Sequence, residues 1–153
     1  MSLRFAVLVS KFNPEVTQGL LAGARDFFRE VHLPIHDEDI FDAPGAFEIP
    51  LLAQALAETG KYSGVVALGC VIKGDTAHFE FISLGAAVGI QQAVLKTRVP
   101  IAFGVLTTYT DEQAILRSRP TPGDPNNKGR EAASACYEAA RLLKVIQPLS
   151  PTA

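Results

Sequence analysis

Only two cysteines occur in 153 residues, and they stand far apart in apolar neighbourhoods. Cys70 and Cys136 therefore read as buried thiols, and neither a disulfide framework nor a cysteine-based metal site is expected. No sign of charge dominates either. Fourteen Lys and Arg face sixteen Asp and Glu, a net charge of −2 with no basic stripe, which argues against nucleic acid as a partner. The longest apolar runs, around 64–72 and 99–107, are too short to cross a bilayer. No charged-then-apolar leader opens the chain, and the cytoplasm is the expected compartment.

Several catalytic signatures are missing as well. There is no G-x-G-x-x-G after the first apolar run, no GxxxxGK[ST] and no G-x-S-x-G elbow. His78–Phe79–Glu80 lacks the P-C-x-x-C partner of zinc deaminases. His32 and His36 have acidic neighbours but no metal-ligand spacing. No internal repeat or linker divides the chain. One domain is expected over residues 1–153, with its core at about 5–146 and a frayed tail at 147–153.

What is present is a folding composition, 48% hydrophobic and 20% charged, in which strand and helix patterns alternate. Strands are expected at Phe5–Val9, Asp39–Asp42, Val65–Ile72 and Ile101–Thr107. The third is apolar throughout, as suits a strand buried on both faces. Val16, Leu20, Ala24, Phe27 and Val31 step by three or four and mark a first helix. Ile49, Leu52 and Leu56 mark a second, and Phe79, Ile82, Ala86, Ile90 and Ala93 a third. Thr110–Gln113 matches a capping box before a short helix. Ala133, Cys136, Ala140 and Leu143 define the last helix, beyond the Pro/Gly-rich stretch SRPTPGDPNN. The glycines of GLLAG (19–23) fall inside the first helix and suggest close packing. Such alternation implies an α/β fold, a three-layer sandwich whose four-stranded parallel sheet carries helices on both faces.

In such sheets ligands bind at the carboxyl ends of the strands. Here those ends read SKFN, DAPGAFE, KGDTAH and TTYTDEQ, the least core-like segments of the chain. Phe12 serves either as a loop aromatic folded onto the first helix or as a platform for a flat ring. Asn13, before Pro14, is a plausible N-cap and also a donor and acceptor for a ligand. Pro44–Gly45 is a turn pair, with Gly45 tolerating positive φ, that would present the N–H groups of Ala46 and Phe47. Glu48 either complements a helix dipole or accepts from ligand hydroxyls. Gly74, Asp75 and Thr76 precede a helix N-terminus suited to phosphate, with Asp75 or Thr76 as its N-cap. His78 falls in the first turn beyond them, in position to move protons. Arg117 and Lys128 flank the Pro/Gly loop and would hold an anion if that loop folds toward the strand ends.

The segments PGAFEIP (44–50), GCVIKGDTAHFEFIS (69–83), FGVLTT (103–108) and NKGREAA (127–133), together with FN after the first strand, resemble the lumazine synthase family. The resemblance runs from about Phe5 to Lys144. It implies a flavodoxin-like fold and the penultimate step of riboflavin biosynthesis, without metal or organic cofactor. In that step 5-amino-6-(D-ribitylamino)uracil condenses with 3,4-dihydroxy-2-butanone 4-phosphate to 6,7-dimethyl-8-ribityllumazine. The resemblance also implies roles for particular residues. Phe12 would stack on the pyrimidine, Asn13, Ala46, Phe47 and Glu48 would hold the ribityl chain, and Val71 and Ile72 would line the ring site. Gly74, Asp75, Thr76 and Arg117 would take the phosphate, and His78 would shuttle protons. Phe103, Arg117 and Lys128 would come from a neighbouring subunit, with Glu131 supporting Lys128.

The family forms homopentamers, some of which build sixty-subunit shells. The long SRPTPGDPNNKG connection points to a pentamer that stops there. A non-catalytic lumazine- or flavin-binding protein, or a shell protein of the same fold, is the alternative. Two departures from the family pattern stand out. Lys73 occupies a position that is often arginine, and the acidic Asp75 sits beside the expected phosphate.

Overall fold

The computed structural model describes residues 2–147, so most of the tail expected to fray lies outside the described residues. Four parallel strands, β1 (Phe5–Ser10), β2 (Ile40–Ala43), β3 (Gly64–Ile72) and β4 (Ile101–Thr108), pair in the order β2-β1-β3-β4. The expected strands are present, with ends that differ by a residue. Asp39 belongs to a 3-10 turn at Asp37–Asp39 that feeds β2, so it does not open the strand. Between the strands run α1 (Pro14–Glu30), α2 (Ile49–Glu58) and α3 (His78–Thr97), and after them α4 (Asp111–Leu116) and α5 (Lys128–Ile146).

Side chains alternate across a strand, so each buried strand feeds two cores. Phe5, Val7, Val9, Val66, Leu68 and Leu106 pack under α1, α4 and α5. Ala6, Leu8, Val65, Ala67 and Val105 pack under α2 and α3. This is the three-layer, flavodoxin-like sandwich, and β3 is buried from Gly64 to Cys70 because both of its faces are covered. Strand order reverses between β1 and β3, which leaves a crevice beyond their carboxyl ends.

The amino ends of the strands are closed by a charged clasp. Asp39, with a side chain only 3% exposed, accepts from Arg4 Nε at 3.0 Å, Arg4 Nη2 at 2.8 Å and the Tyr62 hydroxyl at 2.8 Å. Burial pushes the Asp39 carboxyl up. The hydrogen bonds from Arg4 and Tyr62, with the charge of Arg4, outweigh it and hold the group below its ordinary range. A carboxyl lowered in the folded state stabilises above its unfolded pKa of about 3.9 and loses that contribution as pH falls through the lowered value. Asp39→Asn should therefore lower the thermal midpoint at pH 7 and flatten the acid limb of a midpoint-versus-pH curve. An unchanged acid limb would remove the clasp from the pH response.

Candidate active site

The crevice at the strand ends is an open cleft of about 470 Å³, lined from two connections, one strand end and one helix. Phe12 and Asn13 follow β1, Gly45 to Glu48 follow β2, Cys70 to Ile72 end β3, and His78 and Ile82 come from α3. Phe12 is 67% exposed and Phe47 62%, which no core would require of two phenylalanines. Phe12 is thus a cleft-lining ring. Gly45 is extended, with φ −159°, so positive φ is not the reason for glycine there. A β-carbon on Gly45 would sit 3.2 Å from the Phe12 ring and from Glu48 Oε2, and the missing side chain is what lets these two groups converge. Likewise Phe47 lies over Gly85 of α3, where a β-carbon would meet the ring at 3.1 Å.

Asn13 occupies the N-cap position of α1 in the left-handed region, at φ 56°, which asparagine tolerates better than most residues. Its side chain does not cap the helix. Nδ2 donates instead to the Cys70 carbonyl at 3.2 Å, tying the start of α1 to the end of β3. The cap is made by backbone, because the Asn13 carbonyl accepts from Val16 and Thr17.

The turn 73–77 joins Ile72 and His78, both of which line the cleft. Helix α3 starts at His78, with Ala77 at its N-cap, and neither Asp75 nor Thr76 fills that position as expected. Thr76 Oγ1 accepts from His78 N at 3.3 Å across two residues, so the hydroxyl shapes the turn before the helix. The first-turn N–H groups of a helix have no intrahelical acceptor and point at whatever lies beyond the terminus. Gly74, Asp75 and Thr76 are exposed at that terminus, and His78 is exposed at the first helical position.

The remaining candidates lie elsewhere. Phe103, Arg117, Lys128 and Glu131 line a second cleft of about 300 Å³ along the free edge of β4, which shares no residue with the first. Lys128 Nζ is 2.6 Å from Glu131 Oε2, and the Arg117 guanidinium donates to the Gln113 carbonyl at 3.0 Å. One chain therefore does not bring these cations to His78.

Glycine packing fixes where the two cations stand. A side chain at Gly19 would strike the Ser118 carbonyl, one at Gly23 the Asn127 amide, and one at Gly129 the Leu20 carbonyl. Buried Asn127 fills this seam, donating to the carbonyls of Gly19 at 3.0 Å and Arg119 at 2.9 Å. Its Oδ1 accepts from Gly129 and Arg130, capping α5. Lys128 N then donates to the Arg117 carbonyl at 2.9 Å, so the cations come as a pair. The far side of the loop is held where Gly123 N and Arg130 both reach Asp26.

Sequence reasoning missed Gly45, Cys70 and Ile82 as lining residues. Ile82 was within reach, since it sits one helical turn beyond His78 on the same face. Among the described residues no group of three or more His, Cys, Asp or Glu side chains converges.

An open parallel sheet with a histidine-bearing, aromatic cleft at its switch point defines a small-molecule enzyme of the α/β class. Residues 2–144 match the 6,7-dimethyl-8-ribityllumazine synthase family. A relative from Caulobacter vibrioides, 6,7-dimethyl-8-ribityllumazine synthase 1, is 60% identical over 94% of this chain and 92% of its own length. Relatives carrying the name 6,7-dimethyl-8-ribityllumazine synthase are 47% identical in Deinococcus radiodurans and 44% in Nitratidesulfovibrio vulgaris. They cover 95% and 94% of the chain, and 92% and 90% of their own lengths. The chain belongs to the 6,7-dimethyl-8-ribityllumazine synthase family.

Removing Asn127 strands buried carbonyls and uncaps α5. Asn127→Ala should cost about 2–4 kcal/mol in urea unfolding, the sum of a lost cap and unpaired buried groups. A loss within error would show that the glycines alone hold the seam.

Proposed function

We propose that the protein condenses 5-amino-6-(D-ribitylamino)uracil with 3,4-dihydroxy-2-butanone 4-phosphate to 6,7-dimethyl-8-ribityllumazine, releasing phosphate and water. The observation that carries this reading is that the exposed Phe12 ring, the end of β3 and His78 line one cleft, with the exposed turn 73–77 joining the last two. The pyrimidine would stack on Phe12 against Val71 and Ile72. Asn13, Ala46, Phe47 and Glu48 would face the ribityl hydroxyls, and Gly74, Asp75 and Thr76 would seat the phosphate. Asp75 makes no side-chain cap of α3, and Gly74, Asp75 and Thr76 are all exposed at that terminus, where the anion would meet backbone N–H groups and the Thr76 hydroxyl.

In the reaction the pyrimidine's amine adds to the ketone carbonyl and water leaves, giving an imine. A proton is then lost from the adjacent carbon and phosphate departs with its bonding electrons. The enol so formed takes a proton at carbon to become a methyl ketone, and the second nitrogen adds to that carbonyl and closes the ring with loss of water. His78, which lines the cleft at the start of α3, would take and return these protons. Holding two substrates side by side turns a bimolecular reaction into a nearly unimolecular one, which supplies much of the rate.

The second cleft supports an assembly of copies with shared sites. Phe103, Arg117, Lys128 and Glu131 lie along an open strand edge, where a neighbouring copy's first cleft would meet them. Helix α3 also exposes Phe81, Leu84, Val88 and Leu95 in one stripe, at spacings of three, four and seven. An apolar groove of about 480 Å³ runs beside it, with Val99, Leu142 and Ile146 among its lining residues. Such a continuous apolar surface marks an interface. The proposed state is a homopentamer with active sites between subunits, one that does not build the sixty-subunit shell. No helix among the described residues is long and apolar enough to cross a membrane, and the cytoplasm is the proposed compartment.

Mixing the two substrates with the protein should produce lumazine fluorescence and one phosphate per product; no product at any concentration removes the enzyme reading. His78→Ala should slow turnover about 10²-fold or more without abolishing it, because proton transfer is one contribution beside proximity. Complete loss with binding intact would contradict this. Light scattering should give five times the 16.4 kDa chain mass, and a megadalton particle would overturn the pentamer. His78→Ala and Arg117→Ala proteins, unfolded and refolded together, should regain more activity than either has alone. Failure to complement would place Arg117 and His78 in the same subunit's site or outside it.

A further inference from the structure

The turn 73–77 has few internal restraints. Gly74 has open space where a β-carbon would lie, and residues 73–78 are all exposed. Its two flanks nevertheless converge on one side chain, that of Tyr109 just beyond the end of β4. Before the turn, the Lys73 ammonium sits 5.6 Å from the centre of the Tyr109 ring. After it, the Phe79 ring lies 6.0 Å from the same ring, and Glu80 Oε1 is 3.9 Å from Lys73 Nζ. The base is closed by backbone, with Lys73 N donating to the Thr108 carbonyl at 2.9 Å. Tyr109 is itself held in place, because its N–H donates to Gln113 Oε1 at 2.8 Å in the first turn of α4. The Lys73 side chain is thus engaged across the mouth of the turn by an aromatic face and a carboxylate.

We infer that Tyr109 is a positioning residue that staples the β3–α3 turn in the shape that seats the phosphate of the four-carbon substrate. This rests on the proposed reading of that turn as the phosphate site. A cation over an aromatic face and an edge-tilted ring pair both depend on the ring alone, so the phenol oxygen is dispensable. Tyr109 is exposed, which makes its substitution tolerable to the fold. Its effect is confined to one substrate, because the pyrimidine meets the cleft through Phe12, Val71 and Ile72.

The test compares wild type, Tyr109→Leu, Tyr109→Phe and Lys73→Met, each checked for unchanged oligomer size and thermal midpoint. For each protein, KM is measured for both substrates, together with the dissociation constant of inorganic phosphate. Tyr109→Leu should raise the KM of the phosphate substrate and weaken phosphate binding by about two- to five-fold, the size of one exposed cation–π contact. The KM of the pyrimidine should stay unchanged. Lys73→Met should behave like Tyr109→Leu, and Tyr109→Phe like wild type. Equal rises in both KM values, or failure of Tyr109→Phe to rescue, would overturn the staple. So would a large loss in Lys73→Met with none in Tyr109→Leu, which would make Lys73 a direct phosphate ligand. Wild-type protein that binds neither phosphate nor the phosphate substrate overturns the reading beneath the inference. Wild-type binding matched by Tyr109→Leu overturns the inference alone.

Discussion

One buried amide organises the half of the molecule that the sheet does not. Asn127 bonds to α1, to Arg119 in the loop beyond α4 and to the first N–H groups of α5, and it fits only because Gly19, Gly23 and Gly129 leave room. Buried polar groups are costly unless fully paired, and this side chain uses both donor and acceptor ends. Its satisfaction therefore locks the spacing of three helices at once. Arg117 and Lys128 inherit their positions from that lock through a single backbone hydrogen bond.

The first cleft is built on a different principle. Its lining comes from strand ends, whose positions are set by a sheet with both faces covered, so its floor is rigid. The parts proposed to meet ligand are rings freed by neighbouring glycines and a turn with little structure of its own. Rigidity below and adaptable groups above suit a site that must hold two different molecules and let one of them lose phosphate. The two clefts are also separate in origin, one resting on sheet topology and the other on helix packing. That separation is why the proposed site draws on more than one copy of the chain.

Much of this was legible in the sequence because it rests on periodicity. Continuous apolar strands, helical spacing and the rule that ligands gather at strand carboxyl ends gave the layers and the first cleft. What escaped depended on contacts with no local signature. Asn127 meets Gly19 across 108 positions, and nothing in NNKG announces it. Gly45 reads as a turn glycine, yet its backbone is extended and the true reason is a ring packed against it. Thr76 reads as a cap because turns and caps use the same side-chain chemistry, and only the start of α3 at His78 separates them. The apolar stripe on α3 was hidden because that helix is apolar on several faces, so periodicity located its core side but not its second surface.

The two thiols stand at opposite ends of β3, Cys70 within the strand and Cys136 reaching its beginning from α5. Burial, helped by the charge of Asp111, pushes Cys70 at the cleft end up to about 11. Burial pushes Cys136, whose sulfur donates to the Val65 carbonyl at the far end, up to about 12. Thiolate is the form that reacts, so both are almost silent while the fold is closed. Alkylation of Cys70 would then report opening of the cleft end of β3, and that of Cys136 loosening of α5 from the strand's beginning.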